Sequence, residues 1–307
     1  MTLGRFGLRR RSYDFPPFRP PSEANSLLLR VTRGCPWNKC TFCSMYKDTR
    51  FEIRDLDEVL ADIETARELY GERVQTVFIG DSNSLAAKTE MLVQVLEPLH
   101  SAFPHTERVT TYARAKTLVK KPIEDLEKIR KAGLTRLHVG LETGDRELLE
   151  AIRKGATPEE MVEGGRKGKK AGFEYSLYLL LGIGGEDRWE QHARGSAEVL
   201  NQVDPDFIRV RTLIPQPNSA LYDAMVKGDF ESTSPETILK ETKLLLEGLN
   251  VHSVFLSDHV SNLLPLHGKL PEEKDRMIGI VEEGLRRFRE DAGIKEEMEA
   301  RRHLTHL

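Results

Sequence analysis

Residues 27–43 read LLLRVTRGCPWNKCTFC, an apolar run of strand length followed at once by a loop with three cysteines. Cys35, Cys40 and Cys43 are the only cysteines among the 307 residues. An odd, tightly clustered set makes a poor disulfide framework, because one thiol is always left over. Three thiols on a short loop suit a metal ion or a cluster, and α/β enzymes place their chemistry at the carboxyl ends of parallel strands.

Outward from this loop, apolar segments of strand length alternate with amphipathic segments of helix length. Most strand segments are unbroken and apolar, which is typical of parallel strands covered on both faces. This alternation predicts an α/β fold with a parallel sheet, either doubly wound or a partial or full (β/α) barrel. The predicted strands are Leu27–Thr32, Val74–Gly80, Arg108–Tyr112, Arg136–Leu141, Glu174–Leu181, Phe207–Leu213 and His252–Ser257.

Helix ends are readable between these strands. Gly71 follows the first helical stretch, which begins after Asp55, and Pro122 opens another that stops at Gly133. The remaining predicted helices are Asp145–Lys154, Pro158–Ala171, Asp187–Val203, Pro235–Leu249 and Pro271–Asp291. We predict a Pro- and Arg-rich extended arm over residues 1–26, a βα core over residues 27–222, and an extension over residues 223–307 that packs on the same domain.

Composition narrows the class of protein. With 46 Lys and Arg against 49 Asp and Glu, the net charge is −3, which argues against a nucleic-acid binder driven by phosphate neutralisation. The longest apolar run is too short for a membrane span, which needs about 18 residues or more. Arg9–Arg11 could begin a twin-arginine export signal, but no apolar core follows, so a cytoplasmic location is predicted.

The spacing of the cysteines leaves several kinds of site open. Zinc would need a distant histidine as its fourth ligand, and the nearest downstream is His100. An electron-transfer cluster with four thiolates lacks its fourth cysteine. A [4Fe–4S] cluster on three cysteines would keep one iron open for a substrate or cofactor. A further alternative is that the three cysteines are incidental reactive thiols that bind no metal.

The loop resembles that of the radical S-adenosylmethionine (SAM) enzymes, in which an aromatic residue precedes the last cysteine, as Phe42 does here. The usual spacing is three residues then two, whereas this chain has four then two, which affects the subgroup more than the chemistry. The resemblance runs in motif order from Leu27 to Leu221, and points to an uncharacterised group akin to the coproporphyrinogen-dehydrogenase-like and cobalamin-associated branches. It implies a radical SAM (β/α) barrel with a [4Fe–4S] cluster and SAM as cofactors, and a low-potential flavodoxin or ferredoxin as electron donor.

The resemblance also assigns SAM contacts to three strand ends. Gly80, Asp81 and Ser82 stand where the family has a turn that holds the SAM amino group. An ordinary βα turn without a ligand would have the same residue pattern. Glu142 stands where a polar side chain reaches SAM, and otherwise would cap the next helix. Lys154, twelve positions later, stands where a basic residue pairs with the SAM carboxylate, and otherwise is a solvated helix end.

Further contacts are implied on the next two strands. Gly182 and Gly184 fit a turn whose backbone stacks along adenine. Tyr178 stands where some relatives place an aspartate that holds the ribose. Arg209 and Arg211 share one face of a strand, and inside a barrel such a pair needs an anion, either SAM, a substrate carboxylate or partner acids from neighbouring strands.

The expected reaction is hydrogen abstraction by a 5′-deoxyadenosyl radical from an unidentified small molecule, followed by oxidation, decarboxylation or rearrangement. The shortage of further cysteines argues against sulfur insertion, and we expect neither a cobalamin domain nor an RNA-binding extension. The competing hypotheses are a zinc module without catalysis and an electron carrier. Candidate substrate contacts are Lys47, Tyr112, Arg114, His259 and Asn262.

Overall fold

The computed structural model describes residues 18–302. Arg9–Arg11 and most of the predicted arm therefore lie outside the described residues. The strands are β1 Leu27–Arg30, β2 Thr32–Arg33, β3 Glu52–Ile53, β4 Thr76–Gly80, β5 Arg108–Ala113, β6 Arg136–Glu142, β7 Glu174–Leu181, β8 Phe207–Thr212, β9 Val254–Leu256 and β10 His267–Lys269. The helices are α1 Leu56–Tyr70, α2 Thr89–Ala102, α3 Ala115–Lys120, α4 Ile123–Lys131, α5 Arg146–Ala151, α6 Pro158–Lys170, α7 Trp189–Val203, α8 Ala220–Lys227, α9 Pro235–Gly248, α10 Lys274–Glu290 and α11 Ala292–Arg301.

The main sheet has eight strands in the order β1-β4-β5-β6-β7-β8-β9-β10. All neighbours pair in parallel except β9 and β10, which pair antiparallel. A doubly wound sheet would reverse its strand order at a switch point, and this sheet never does. The order instead winds in one direction, as in a (β/α) barrel, which confirms the predicted barrel type of fold.

Alternation along each strand separates an apolar outer face from a polar inner face. In β8, Ile208 and Val210 are buried in the hydrophobic core, while Arg209 and Arg211 point to the opposite face. The same alternation continues in β7, where Leu177 and Leu179 join the core and Tyr178 faces the other way. Burying one such aliphatic side chain contributes about 1.5–3 kcal/mol, so the outer face holds the sheet against its helices and the inner face is left for polar groups.

The predicted helix ends match the observed ones closely. The Asp55 side chain accepts a hydrogen bond from the Asp57 N–H at the start of α1, and Gly71 ends the helix with φ of 59°. The sequence analysis did not predict α2, whose interior contains Pro98, a residue that removes one helix hydrogen bond. It also did not predict β3 or β10. No helix within residues 18–302 is both long enough and apolar enough to span a membrane.

Candidate functional site

The cysteines lie on a loop that is closed at its base. β2 follows β1 directly, and β3 pairs antiparallel with β2, with Thr32 opposite Ile53 and Arg33 opposite Glu52. Residues 34–51 between them carry the three thiols, all of which are half-buried and free of disulfides. The loop therefore has a fixed origin at the carboxyl end of β1.

Asn38 accommodates the extra residue between the first two cysteines. It adopts a left-handed φ of 48°, a conformation that asparagine tolerates better than most side chains. Its backbone N–H lies 3.4 Å from Cys35 Sγ, and its side-chain amide donates to the Tyr46 carbonyl at 2.6 Å. The Lys47 ammonium donates to the Asn38 and Cys40 carbonyls at 3.2 and 3.0 Å. The longer first gap thus folds into a tight turn between Cys35 and Cys40.

The thiols lie close enough for their charges to interact. Burial raises the pKa of Cys40, which Lys154 and Arg114 oppose and Glu142 and Cys35 reinforce. Burial also raises the pKa of Cys43 to about 11. Three thiolates in a buried loop need a cation, and a bound metal centre reverses such shifts. The donor set therefore fits a cationic centre.

A cluster fits this arrangement better than a single ion. Within residues 18–302, no three His, Cys, Asp or Glu side chains are gathered tightly enough to hold one metal ion. A tetrahedral zinc site with Zn–S bonds of about 2.3 Å demands such tight gathering, whereas a cube spreads three thiolates over three separate irons. The zinc alternative is not favoured.

Trp37 anchors the cysteine loop to the end of α5. Its indole Nε1 donates to the Arg153 carbonyl at 2.7 Å, and a Cβ on Gly155 would lie 2.4 Å from the ring. Gly155 must therefore stay glycine for the ring to fit. The Arg114 guanidinium stands 5.1 Å from the ring centroid and donates to the Lys154 carbonyl at 3.2 Å. Arg114 and Lys47 thus hold the loop, and their assignment as substrate contacts stays a prediction.

Phe42 links the loop to the turn after β7. It packs against the small apolar cluster of Leu148, Ile152 and Ile183, and Ile183 follows Gly182 directly. The Thr41 N–H also donates to the Ile152 carbonyl at 3.0 Å. The residues that the resemblance assigns to cluster and adenine are therefore adjacent, as a single bound SAM would require.

Asp81 and Ser82 hold the start of the loop. The fully buried Asp81 carboxylate accepts from the Gly34 N–H at 3.0 Å and from Arg30 Nε at 3.2 Å. The Ser82 hydroxyl donates to the Gly34 carbonyl at 2.8 Å. The expectation that Asp81 itself reaches the SAM amino group does not fit a carboxylate with no exposed surface. Its place is that of a positioning residue for Cys35.

Glu142 and Lys154 form an ion pair next to Cys40. Lys154 Nζ donates to Glu142 Oε1 at 2.7 Å, and both side chains are 14% exposed. Burial alone would lower the pKa of Lys154, but the charges of Glu142 and Cys40 outweigh it and raise that pKa. Glu142 has a left-handed φ of 64° at a register shift in β6, and its carboxylate folds over Gly140, where a Cβ would lie 2.1 Å from Oε1. Such strained residues cluster at functional sites.

Gly182 is held by two side chains of the region after α8. Its N–H donates to Glu241 Oε2 at 2.8 Å, and its carbonyl accepts from the Thr233 hydroxyl at 2.8 Å. Glu241 has no exposed surface, and its Oε1 lies 3.1 Å from Nε2 of the buried His192. Sequence reasoning missed all three residues. The available signal was an acid on the apolar face of α9, among Ile238, Leu239, Leu245 and Leu246.

The buried Glu241–His192 pair predicts a pH-dependent stability. Burial raises the pKa of Glu241 from 4.5 to about 8 and lowers that of His192 from 6.5 to about 4. The glutamate effect stabilises the fold at low pH and is lost as pH rises toward 8, while the histidine effect is lost as pH falls toward 4. Below pH 6.5 the glutamate and histidine effects on the free energy of unfolding oppose each other. From pH 6.5 to about 8 only the glutamate effect changes, so the protein loses stability as the pH rises through this window.

In that window we expect the free energy of unfolding to fall by up to about 1.4 kcal/mol per pH unit. Glu241→Gln keeps an acceptor for the Gly182 N–H but cannot ionise, so it should lose this decline. Urea unfolding of both proteins across the window measures the difference. Equal slopes in the two proteins would show that Glu241 does not titrate there.

The inner face below these groups is lined with rings and cations. Tyr112 and Tyr178 each stand edge-on to the buried His138, with centroids 6.0 and 5.9 Å from it. Arg209 Nη1 donates to Asp258 Oδ2 at 3.3 Å, and the Arg211 guanidinium lies 5.6 Å from the Tyr178 centroid. Tyr112 is near enough to feel the charges of both Arg211 and Glu142, so these residues share one inner surface.

The last two substrate candidates differ in position. Asn262 is buried, and its amide donates to the Val210 carbonyl at 2.9 Å while its Oδ1 accepts from the Thr212 hydroxyl at 3.2 Å. It braces β8, and its assignment as a substrate contact stays a prediction. His259 is half-buried, with Nδ1 2.8 Å from the Ser261 hydroxyl. Burial and the charge of Arg211 lower the His259 pKa to about 4, so its ring is neutral.

Comparisons with known proteins agree with this geometry. The chain is 22% identical over 182 residues to the heme chaperone HemW of Bacillus subtilis, covering 59% of this chain and 48% of that protein. It is 24% identical over 205 residues to an uncharacterized methyltransferase of Pyrococcus horikoshii, covering 64% of this chain and 41% of the relative. The chain thus spans less than half the length of these curated relatives.

Among solved structures, the coproporphyrinogen III oxidase HemN of Escherichia coli, described as a radical SAM enzyme, superposes with a TM-score of 0.56. The sequence identity is 18%, and the match covers 72% of this chain and 52% of that one, which supports a shared fold. The model of the radical SAM superfamily matches residues 29–194, more than half of the chain and all of the cysteine loop. The chain therefore belongs to the radical SAM superfamily, whose members are enzymes that use a [4Fe–4S] cluster and SAM.

Proposed function

We propose that this chain binds a [4Fe–4S] cluster on Cys35, Cys40 and Cys43 and cleaves SAM reductively to start hydrogen abstraction from an organic small molecule. When bound and reduced, the cluster supplies the electron that breaks the sulfur–C5′ bond of SAM, giving methionine and a 5′-deoxyadenosyl radical. The observation that carries the proposal is the meeting of three features at one strand edge. These are the thiols, the Glu142–Lys154 pair beside Cys40, and the Gly182 turn against Phe42.

The Glu142–Lys154 pair is complementary to the amino-acid part of SAM. An ion pair of this kind can exchange its internal contact for two new ones, in which Lys154 binds the SAM carboxylate and Glu142 accepts a hydrogen bond from the SAM amino group. Charge-assisted hydrogen bonds of this type are about twice as strong as neutral ones. We assign these two residues to the methionine moiety.

The turn at Gly182 and Gly184 is assigned to the adenine. Two side chains from a later part of the chain fix its conformation. Glu241 accepts a hydrogen bond from the Gly182 N–H, and Thr233 donates one to the Gly182 carbonyl. Glu186, at the end of the turn, accepts from the Ser234 N–H and the Thr237 hydroxyl, both at 2.6 Å. These contacts of the described residues support the proposed division of the chain into a core of residues 27–222 and an extension of residues 223–307 that packs on it.

The outer side of the loop offers a route for the electron. A hollow of about 540 Å³ is lined by Cys40, by the basic side chains of Lys39, Lys47 and Arg153, and by the acids Asp48 and Asp223. Basic side chains around a cysteine suit an acidic redox partner by charge complementarity. We therefore propose a low-potential flavodoxin or ferredoxin as donor, in the cytoplasm, for an oxygen-sensitive oxidoreductase. Oxidation, decarboxylation and rearrangement remain the proposed outcomes.

The proposal is tested by electron paramagnetic resonance of the anaerobically reconstituted and reduced protein. Because one iron would lack a protein ligand, adding SAM should change the spectrum of the reduced cluster. Adenosine, which lacks the α-amino and carboxylate groups of the methionine part of SAM, is the control and should leave the spectrum unchanged. A reduced cluster whose spectrum is the same with and without SAM would overturn the assignment.

A further inference from the structure

Most of the cations that line or border the inner face have an acid as partner. Lys154 pairs with Glu142, Arg209 with Asp258, and Arg108 Nη2 lies 3.5 Å from Glu23 Oε2. Within residues 18–302, no acid lies at ion-pair distance from Arg211. A half-buried arginine in such a place is costly to keep without an anion.

The residues nearest to Arg211 differ from those around Cys40, although Tyr112 lies within reach of the charges of both Arg211 and Glu142. The charged groups next to Cys40 are Lys154, Glu142 and Arg114. Arg211 instead lies against Tyr178, with the neutral His259 and Tyr112 within reach of its charge. The nearby acid, Asp258, acts on His259 and Tyr178 as well, but its ion pair is with Arg209. It stands two residues along β8 from Arg209, nearer the carboxyl end of the strand and thus the mouth of the barrel.

We propose that Arg211 binds a carboxylate of the substrate, with the Tyr178 ring against the guanidinium, so that the enzyme acts on an anionic small molecule. This inference rests on the proposed function. The single charge of Arg211 matches one negative charge, and its planar guanidinium matches a planar carboxylate in a bidentate pair. A dianionic phosphate would call for a second unpaired cation or a cluster of backbone N–H groups. The carboxylate is therefore the favoured chemistry.

The test uses the reconstituted full-length protein with SAM bound, and benzoate as the probe. Benzoate should raise the thermal midpoint of the wild-type protein in a concentration-dependent way, while benzamide, its neutral counterpart, should not. Arg211→Gln should weaken the apparent affinity for benzoate at least about tenfold, the loss expected for a bidentate charged contact. Arg211→Lys, which keeps the charge, should retain an intermediate affinity and controls for folding.

Three results would overturn the inference. Equal benzoate affinity in the wild type and Arg211→Gln would mean that Arg211 does not bind the carboxylate. Tighter binding of phenyl phosphate than of benzoate would move the substrate class to phosphates. A tenfold rise in the KM for SAM in Arg211→Gln would assign Arg211 to the cofactor. Failure of the proposed function is distinguishable, because the wild-type protein would then release no 5′-deoxyadenosine under reducing conditions.

Discussion

Replacing Cys40 with alanine is expected to abolish cluster binding and SAM cleavage together. Cys40 is the middle of the three proposed ligands and the one beside the Glu142–Lys154 pair. With only two thiolates left, a second iron would lose its protein ligand and the cube would have too few anchors to persist. We expect bound iron and sulfide to fall to background, and 5′-deoxyadenosine formation to fall by at least about a thousandfold, as when an essential catalytic group is removed.

Thr41→Ala is the matched control for this change. Thr41 is the next residue of the same loop, and its backbone contacts to Ile152 and Leu221 do not use the side chain. This variant should keep its iron and its SAM cleavage. Far-UV circular dichroism of both variants checks that the barrel stays folded. Cys40→Ala protein that still releases 5′-deoxyadenosine would refute the ligand assignment.

The second large effect is expected at Lys154. Lys154→Met leaves the Glu142 carboxylate without its partner in a site where both side chains are only 14% exposed. Breaking a buried pair in this way costs about 3–5 kcal/mol, and partial exposure places our expectation near the lower end. We also expect the KM for SAM to rise about tenfold or more, since a charged hydrogen bond contributes about 1.5–3 kcal/mol.

The double variant Glu142→Gln with Lys154→Met separates the two roles of the pair. Removing both charges should restore most of the unfolding free energy, because no unpaired charge remains buried. It should not restore the affinity for SAM, which needs the ammonium and the carboxylate. Urea unfolding and the KM for SAM are measured on the wild type, Lys154→Met and the double variant. A wild-type KM in the double variant would make the pair purely structural.

Much of the fold was predictable because its signals are local. All seven predicted strands exist, since parallel strands buried on their outer face read as nearly unbroken apolar runs. β10 was not predictable in this way, because His267–Lys269 has one buried residue and pairs only through β9. α2 carries a clear apolar face at Leu92, Val95 and Leu96, but Pro98 interrupts it as a helix signal.

In the candidate site, too, the residues with local sequence signals were predictable and the long-range contacts were not. The cysteine loop, Glu142 and Gly182 stand at strand ends, where topology alone brings them to one edge. The contacts of Glu241 and Thr233 with Gly182 join residues more than fifty positions apart, so no local pattern could reveal them. The contacts made by individual polar side chains could not be predicted from the sequence either. Asp81 turns inward to Gly34, and Lys47 bonds the backbone of its own loop, because tertiary packing decides where a polar side chain finds its partner.

The most direct measurement is product analysis after reduction. Full-length protein with its cluster reconstituted is mixed anaerobically with SAM and dithionite, and nucleosides are separated chromatographically. The account predicts release of 5′-deoxyadenosine and methionine in equal amounts, dependent on both the cluster and the reductant. A protein that holds a full complement of iron and sulfide, is reduced, and yet leaves SAM intact would contradict the assignment of this strand edge to SAM cleavage.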